Sequence, residues 1–312
     1  MARALRPFTT EALTRRVLVR GAAAQWRRQF VSASSVDHAE VQKFASLASR
    51  WWDPDGPMAG LHQMQPTRMQ YIRHAVLAAA AVNGRRAAVE GGDPRSTFAG
   101  LRVMDVGCGA GLLTEPLARL GATAVGVDAT GPNIDAARWH ATLDPALEGR
   151  VEYYHSTVED LAAQPKHARG YDAVCALEII EHLAPGSLPI FFRGCASCLK
   201  PGGVLIVSTI NRTAASYALA IVTAEQVLRW VEPGTHQWDK FVTVEECGEA
   251  MIAAGLQPRK DGLEANGHSG SESYAATGMV FDPLSGTWGL SSDTAVNYIC
   301  SATLPEEPLE EL

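Results

Sequence analysis

The sequence predicts an α/β protein in which a doubly wound, mostly parallel sheet follows N-terminal helices and ends in an antiparallel hairpin. Three observations support this fold class. Short apolar runs alternate with helical stretches from Leu101 onward, the first run leads into a glycine-rich loop, and the second run ends in Asp128. Strands that alternate with helices pair in parallel, and ligands of such sheets bind at the carboxyl ends of the strands.

Two helices are expected before the sheet. Asp37 and Glu40 have the spacing of a capping box, and apolar residues then recur at helical intervals as far as Trp51. A second helical pattern covers 67–82. The polar segment 83–100 that follows is predicted to be a linker.

The sheet itself is predicted from apolar runs and from the helical patterns between them. The five parallel strands are expected at 101–106, 123–127, 151–154, 171–177 and 203–209. The intervening helices are expected near 112–120, 132–141 and 187–199. After them come two more helices, 216–232 and one near 243–254, and two β-like runs, 279–281 and 296–300. These two runs, with a Pro-Leu-Ser-Gly turn between them, are predicted to form the terminal hairpin.

Charge separates a basic N-terminal arm from an acidic remainder. Residues 1–30 contain seven arginines and one glutamate, a net charge of +6 (7 − 1), which leaves −13 (20 basic against 33 acidic residues) beyond them. An Arg-rich, acid-poor segment is typical of a mitochondrial transit peptide. A nucleic-acid-binding arm is the alternative, but an acidic body would repel a duplex, so no nucleic-acid partner is expected. The predicted organisation is a transit peptide over 1–30, helices and linker over 31–99, the α/β domain over 100–304 and an acidic tail over 305–312.

The composition excludes two other classes of protein. No apolar run approaches the roughly 20 residues that a membrane-spanning helix needs. Six cysteines in 312 residues do not indicate a disulfide framework. Cys195 and Cys198 form a C-x-x-C, but they lie among apolar residues of a helical pattern and are predicted to be reduced core cysteines.

The glycine loop reads VMDVGCGAGLL, residues 103–113, with glycines at 107, 109 and 111. A dinucleotide fingerprint would place its third glycine at 112, where the sequence has Leu. Gly107 lets the backbone come close to a ligand, and the carboxylate of Asp128 at the same edge of the sheet can accept both hydroxyls of a ribose. Together with Asp105, this set resembles the first motif of class I S-adenosylmethionine (SAM) methyltransferases and its partner.

Glu178, Glu181 and His182 follow the predicted fourth strand directly, in the stretch LEIIEH. A helical turn starting there would place the three side chains on one face, because they are spaced i, i+3 and i+4. Two carboxylates and an imidazole suit a divalent cation. His182 can instead be a general base, or the turn can be a structural ion pair. The residues alone leave these three alternatives open.

Five segments are more specific than the glycine loop: VDHAEVQKFASLASRWWDPDGPMAGLHQMQPTRMQYI, LEIIEHL, CLKPGGVLIVSTINRT, EPGTHQWDKFV and VNY. With these segments, the chain resembles the mitochondrial O-methyltransferases of ubiquinone biosynthesis from about residue 36 to 300. Their Arg-Trp-Trp-Asp, Asn-Arg and Gly-Thr-His portions have no role in a generic methyltransferase. The resemblance is therefore to this family in particular.

This resemblance implies methyl transfer from SAM to catechol-type hydroxyls of 3,4-dihydroxy-5-polyprenylbenzoate and demethylubiquinol. The SAM site would comprise Arg68, which would reach the methionine carboxylate, and Gly107, Asp128 and Leu177. At the fourth strand the resemblance favours the cation. It implies Mg²⁺ bound by Glu178, Glu181 and His182, with Glu178 and His182 also catalytic.

The resemblance also implies a location and partners. The enzyme would lie peripherally on the matrix side of the mitochondrial inner membrane, in a multiprotein ubiquinone-synthesis complex. The apolar helix 216–231 carries Tyr and Trp, and it is expected either to lie in the membrane interface or to pack as a lid.

Two departures from the family pattern affect the terminal hairpin, which is therefore left out of the predicted site. The glycine-rich loop 264–277 is long, and Asp282 precedes Pro283. A quinone or sterol C-methyltransferase is the alternative enzyme, and it would not need a cation. A noncatalytic SAM-binding scaffold is the alternative from another class, which the acidic and imidazole cluster disfavours.

Overall fold

The structure is a computed structural model that describes residues 34–82, 96–218, 237–259 and 275–306. The elements named below belong to one compact unit, Ser35–Leu312. Several predicted segments lie outside the described residues. They are the transit peptide, most of the linker, most of helix 216–231, most of the glycine-rich loop and the end of the tail. Among the described helices, none combines the length and the apolar character needed to cross a membrane.

The predicted N-terminal helices are present, with two differences. Helix α1 spans His38–Leu47 and is capped by Asp37, whose side chain accepts a hydrogen bond from the Ala39 N–H at 2.9 Å. Glu40 does not complete a capping box, because its carboxylate is buried against His182 and Lys240. Helix α2 spans Ala59–Val82, so it begins before the predicted start and contains Pro66. Packing of its apolar face outweighs the backbone hydrogen bond that a proline removes.

Within the described residues the sheet has nine strands, in the order β3-β2-β1-β4-β5-β9-β7-β8, with β6 paired to β9. The first five strands are parallel, as predicted. They are β1 (Arg102–Val106), β2 (Thr123–Asp128), β3 (Val151–His155), β4 (Tyr171–Leu177) and β5 (Leu199–Ile210). The remaining strands are β6 (Gln257–Pro258), β7 (Ala276–Asp282), β8 (Thr287–Ser291) and β9 (Asn297–Thr303).

Helices cover both faces of the sheet. In the described part of the chain, the helices of five or more residues that follow α2 are α3 (Thr114–Arg119), α4 (Gly131–Ala141), α5 (Val158–Ala162), α6 (Leu188–Cys198) and α7 (Val244–Ala253). Met104 and Val106 of β1 pack in one apolar cluster with α6 and α7, whereas Val103 packs in another with α2 and α3. Alternate residues of one strand thus enter two cores, which gives the doubly wound arrangement that the alternating pattern predicted. Cys195 and Cys198 of α6 lie in the first core.

The predicted terminal hairpin is present, but its second strand was assigned wrongly. The Pro-Leu-Ser-Gly turn joins β7 to β8, and Gly286 in that turn has a φ of +68°. The run 296–300 lies instead in β9, which is inserted between β5 and β7 and is antiparallel to both. Strand β8 is short and mostly half-exposed, so it lacks the apolar signal that marks a central strand.

Candidate active site

The carboxyl ends of β1, β2 and β4 open into a cavity of 1160 Å³. Helices α1 and α2, the first turns of α4 and α5 and the terminal hairpin supply much of the rest of its wall. All seven predicted site residues line this one cavity: Arg68, Gly107, Asp128, Leu177, Glu178, Glu181 and His182. The topology therefore brings together groups that are up to 114 positions apart in the sequence (182 − 68).

The glycine loop leaves β1 with three glycines at positive φ, Gly107 at +71°, Gly109 at +52° and Gly111 at +89°. The Gly107 N–H donates to the Val127 carbonyl at 2.8 Å, which ties the loop to β2. A Cβ on Gly107 would lie 2.7 Å from Ile179 Cδ1, and one on Gly109 would overlap the Trp51 ring. The loop thus needs glycine for its backbone conformation and for close packing of Ile179 and Trp51, in addition to any approach by a ligand.

Asp128 ends β2 with both carboxylate oxygens held by backbone donors. Its Oδ2 accepts from the Gly109 N–H at 2.9 Å and its Oδ1 accepts from the Thr130 N–H at 2.7 Å. Burial raises the pKa of the carboxyl, and these two donors oppose that shift. The side chains of Thr130 and Asn133 also hydrogen-bond this carboxylate and oppose the rise in its pKa, so two ribose hydroxyls would share its oxygens with them or displace them.

Arg68 is a buried cation on α2, 4% exposed. Its Nη2 donates to the Leu61 carbonyl at 2.9 Å, while its Nε has no hydrogen-bond partner among the described residues. Burial lowers the pKa of the guanidinium, and attraction to Glu178 and Asp105 opposes the shift. A buried guanidinium with an unused donor suits a carboxylate ligand.

Further buried polar atoms of the cavity wall lack a partner among the described residues. Apart from Arg68 Nε, they are Trp51 Nε1, Gln65 Oε1, Asn133 Oδ1, both carboxylate oxygens of Glu159, and Trp288 Nε1. Buried polar groups are normally hydrogen-bonded, so this set indicates a polar ligand. Sequence reasoning missed these residues, and only Trp51, in the Arg-Trp-Trp-Asp segment, had a signal that could have indicated a role.

Glu178 and Glu181 are fixed by neighbouring hydroxyls at the end of β5. Ser208 accepts from the Glu178 N–H at 2.9 Å through its carbonyl and donates to Glu178 Oε1 at 2.6 Å through its hydroxyl. Thr209 Oγ1 donates to Glu181 Oε2 at 2.8 Å. Glu178 has a φ of +52°, a conformation that costs about 1 kcal/mol or more for a residue with a side chain. Strain of this kind is common at functional sites.

The predicted ligand set of Glu178, Glu181 and His182 is not assembled. Ile180–His182 form a 3-10 turn rather than a turn of α-helix, and the three side chains bind separate partners. Within the described ranges, no group of three or more His, Cys, Asp or Glu side chains has the arrangement to hold a metal ion. Burial, together with the charge of Glu178, raises the pKa of Glu181 to about 7. The turn therefore concentrates acidic groups without forming a metal centre.

His182 is paired with a carboxylate from α1. Its Nδ1 lies 3.1 Å from Glu40 Oε2, and Lys240 Nζ donates to Glu40 Oε1 at 3.1 Å and to Asp37 at 3.0 Å. The hydrogen bond with His182, more than any other contact, lowers the pKa of Glu40 to about 2. A carboxylate at Nδ1 favours the tautomer that carries its hydrogen there, which leaves Nε2 as the acceptor.

The terminal hairpin, which the sequence analysis left out of the site, lines the cavity. Met279 and Phe281 of β7 and Trp288 of β8 contribute to the wall. These apolar or aromatic side chains follow the long loop and lie on both sides of the Asp282-Pro283 departure. An apolar wall in the same cavity as the acidic turn suits an acceptor with a hydrophobic part.

Comparison with known proteins places the chain in a family. A family model described as a methyltransferase domain matches residues 61–260. The ubiquinone biosynthesis O-methyltransferase of Nitrobacter winogradskyi is 42% identical over 269 residues, covering 86% of this chain and 91% of that protein. The one from Azorhizobium caulinodans is 43% identical over 267 residues, covering 85% and 92%. The mitochondrial one from Arabidopsis thaliana is 39% identical over 285 residues, covering 91% and 79%.

The fold and the family model together define a class I methyltransferase with a cavity at the carboxyl edge of its sheet. The chain belongs to the ubiquinone biosynthesis O-methyltransferase family. It is therefore a SAM-dependent O-methyltransferase, and the predicted fold class and activity are confirmed.

Proposed function

We propose that this enzyme methylates the catechol-type hydroxyls of prenylated ubiquinone precursors, 3,4-dihydroxy-5-polyprenylbenzoate and demethylubiquinol. One observation carries the proposal. A single cavity joins Arg68 and Asp128, which suit SAM, to the Glu40–His182 pair and to an apolar wall. Membership of the O-methyltransferase family supports an oxygen acceptor over the ring carbon of a C-methyltransferase.

The positions of the cavity residues imply one orientation of bound SAM relative to the sheet. SAM carries a carboxylate at one end, a ribose in the middle and adenine at the other end. Arg68 would bind the methionine carboxylate, and Asp128 the ribose hydroxyls. Leu177 and Glu178, at the end of β4, would then lie near the sulfonium, where the methyl group is transferred.

His182 would remove the proton of the acceptor. A phenolic hydroxyl has a pKa of about 10, so little phenolate exists at neutral pH. His182 Nε2 would accept the proton while the acceptor oxygen forms its bond to the methyl carbon and the carbon–sulfur bond breaks. The Glu40 carboxylate would stabilise the resulting imidazolium, as a carboxylate does for other catalytic histidines. SAM supplies the methyl group and leaves as S-adenosylhomocysteine.

A requirement for Mg²⁺ at Glu178, Glu181 and His182 is a further proposal, with electrostatic rather than geometric support. Burial and the charge of Glu178 raise the pKa of Glu181 to about 7, and a cation would relieve that repulsion. The three side chains hold separate partners, so binding would require at least one of them to move. No step of the reaction above depends on the cation.

The function is tested by incubating the purified protein with methyl-labelled SAM and a prenylated catechol. We expect label on a ring oxygen, because the family and the Glu40–His182 pair both point to a hydroxyl acceptor. The control acceptor is the same prenylated ring with both hydroxyls already methylated, which should stay unlabelled. Label on a ring carbon would indicate a C-methyltransferase, and no transfer to any acceptor would favour a noncatalytic scaffold.

We propose a mitochondrial location, peripheral on the matrix side of the inner membrane and in a multiprotein complex. The support is the arginine-rich segment 1–30 and the mitochondrial relative from Arabidopsis thaliana. A polyprenyl tail also partitions into membrane, so the enzyme must meet its acceptor there.

In isolated mitochondria we expect the N-terminus of the protein to lie near Phe30, because a transit peptide is removed on import. Carbonate should release the protein from the membrane pellet, and protease should reach it only after the inner membrane is opened. N-terminal sequencing and immunoblotting measure these outcomes, with an integral inner-membrane protein as the control. An intact residue 1 would contradict the transit peptide, and resistance to carbonate would contradict peripheral attachment.

A further inference from the structure

Trp52 links the segment between α1 and α2 to the glycine loop. Its Nε1 donates to the Ala110 carbonyl at 3.0 Å. Ala110 is fully buried, and its neighbours in the chain, Gly109 and Gly111, both have a positive φ. Glycines on both sides give the backbone unusual conformational freedom at this point, and a hydrogen bond from a distant segment restrains it.

The indole ring of Trp52 is itself fixed by His140 of α4. The two rings are stacked, with centroids 3.5 Å apart and an angle of 4° between their planes. His140 Nδ1 lies 2.6 Å from Glu115 Oε1, and because a carboxylate only accepts, the imidazole donates this hydrogen bond. The stacking and the hydrogen bond together set the direction in which the Trp52 N–H points.

Glu115 returns this series of contacts to the glycine loop. It lies in the first turn of α3, its side chain is fully buried, and its N–H donates to the Gly111 carbonyl at 3.1 Å. Its second oxygen, Oε2, accepts from Arg119 Nη2 at 2.8 Å, and Arg119 Nε donates to Asp144 at 2.8 Å. A buried carboxylate is costly unless it is paired, and both oxygens of Glu115 are paired. The contacts therefore form a circuit that starts at Ala110 and ends at Gly111.

This circuit can affect a ligand only through the loop. Within the described residues, the cavity lining does not include Trp52 or its partner His140. The Gly109 N–H, one residue before Ala110, donates to Asp128 Oδ2 at 2.9 Å. A displacement of the loop at Ala110 would therefore move a donor that holds the predicted ribose carboxylate.

We infer that Trp52 is a positioning residue for SAM binding. Its N–H, directed by His140 and Glu115, holds the glycine loop in the binding conformation before the cofactor arrives. A loop that is already ordered does not have to be ordered on binding, so preorganisation raises affinity. The inference rests on the proposed placement of SAM at Asp128. It assigns Trp52 a role in affinity for the cofactor and none in the transfer step.

Calorimetry of the full-length protein with SAM tests the inference on Trp52→Phe, which keeps an aromatic ring over His140 but removes the N–H. SAM should bind about 5- to 30-fold more weakly, because the freed loop must be ordered on binding. At saturating SAM, kcat should fall by less than about threefold, because the bound loop regains its conformation. Trp139→Phe is the matched control. Trp139 neighbours His140 but is 64% exposed, so this variant should keep the wild-type affinity.

A double-mutant cycle separates positioning from a general loss of stability. His140→Ala should weaken SAM binding in the otherwise wild-type protein, because the indole loses its orientation. In Trp52→Phe, the same change should weaken binding by less than about twofold further, because no N–H is left to direct.

The inference is overturned by an unchanged SAM affinity in Trp52→Phe, by additive losses in the cycle, or by a fall in kcat as large as the fall in affinity. If Asp128→Ala bound SAM as tightly as the wild type, the placement of SAM would fail as well, which separates the two claims. Should Trp52→Phe not fold, the benzothiophene analogue of tryptophan is placed at position 52 instead. It keeps the shape of the ring and lacks the N–H, so the same outcomes decide.

Discussion

Asp128→Ala should weaken binding of SAM by on the order of 10²- to 10⁴-fold while the protein stays folded. The substitution removes two oxygens that can each accept a ribose hydroxyl, and a hydrogen bond to a charged group contributes about 1.5–3 kcal/mol. It also frees the Gly109 and Thr130 N–H groups that hold the loop beside the ligand. Isothermal calorimetry with SAM measures the loss, and the thermal unfolding midpoint checks the fold.

The matched control for this substitution is Asp135→Ala. Asp135 lies on α4, the helix that follows Asp128 in the chain. Its side chain is 80% exposed and forms a 3.7 Å ion pair with Arg138. Exposed pairs contribute little, so SAM affinity should be unchanged. An affinity in Asp128→Ala equal to that of the control would refute the ribose assignment.

His182→Ala should lower kcat by on the order of 10²- to 10⁴-fold with little change in SAM affinity. The imidazole is the group that would accept the hydroxyl proton, and it does not lie at the predicted ribose or carboxylate positions. Rates of transfer from labelled SAM to a prenylated catechol give kcat. Calorimetry with SAM gives the affinity separately. His38→Ala, an exposed histidine on the same helix as Glu40, serves as the control and should keep full activity.

The same assay decides between the base and the cation. If Mg²⁺ is required, chelator should stop turnover and added Mg²⁺ should restore it, while Glu178→Gln and Glu181→Gln should each raise the Mg²⁺ concentration needed. If chelator has no effect and His182→Ala is inactive, the histidine is a general base and the metal proposal is wrong. Full activity of His182→Ala without chelator would contradict both roles.

The sequence was sufficient to predict the position of those side chains that directly follow a strand. The left-handed glycines of the loop, Asp128 at the end of β2 and Glu178 after β4 were all predicted in the order in which they occur. Each belongs to a strand end, and parallel strands bring their carboxyl ends to one edge. That rule is enough to place these residues around one cavity.

The partners of these residues were not predictable in the same way. Glu40 reaches His182 across 142 positions, and Ser208 reaches Glu178 across 30. The capping-box spacing of Asp37 and Glu40 even suggested a different partner for Glu40. Local spacing predicts which side chains share one face of a helix or strand. It does not predict which distant residues pack against that face.

By itself, the sequence determined the α/β class, the parallel strands, the SAM-type loop and the methyltransferase family, because periodicity and motif spacing are properties of neighbouring residues. Only the tertiary structure decided that β9 lies between β5 and β7, that the hairpin lines the cavity, and that the acidic turn diverges toward separate partners. It also placed Glu159 in the cavity wall, where its carboxylate has no hydrogen-bond donor among the residues that the structure describes. These features depend on contacts between distant segments, which form only when burial of the two cores fixes how the segments pack.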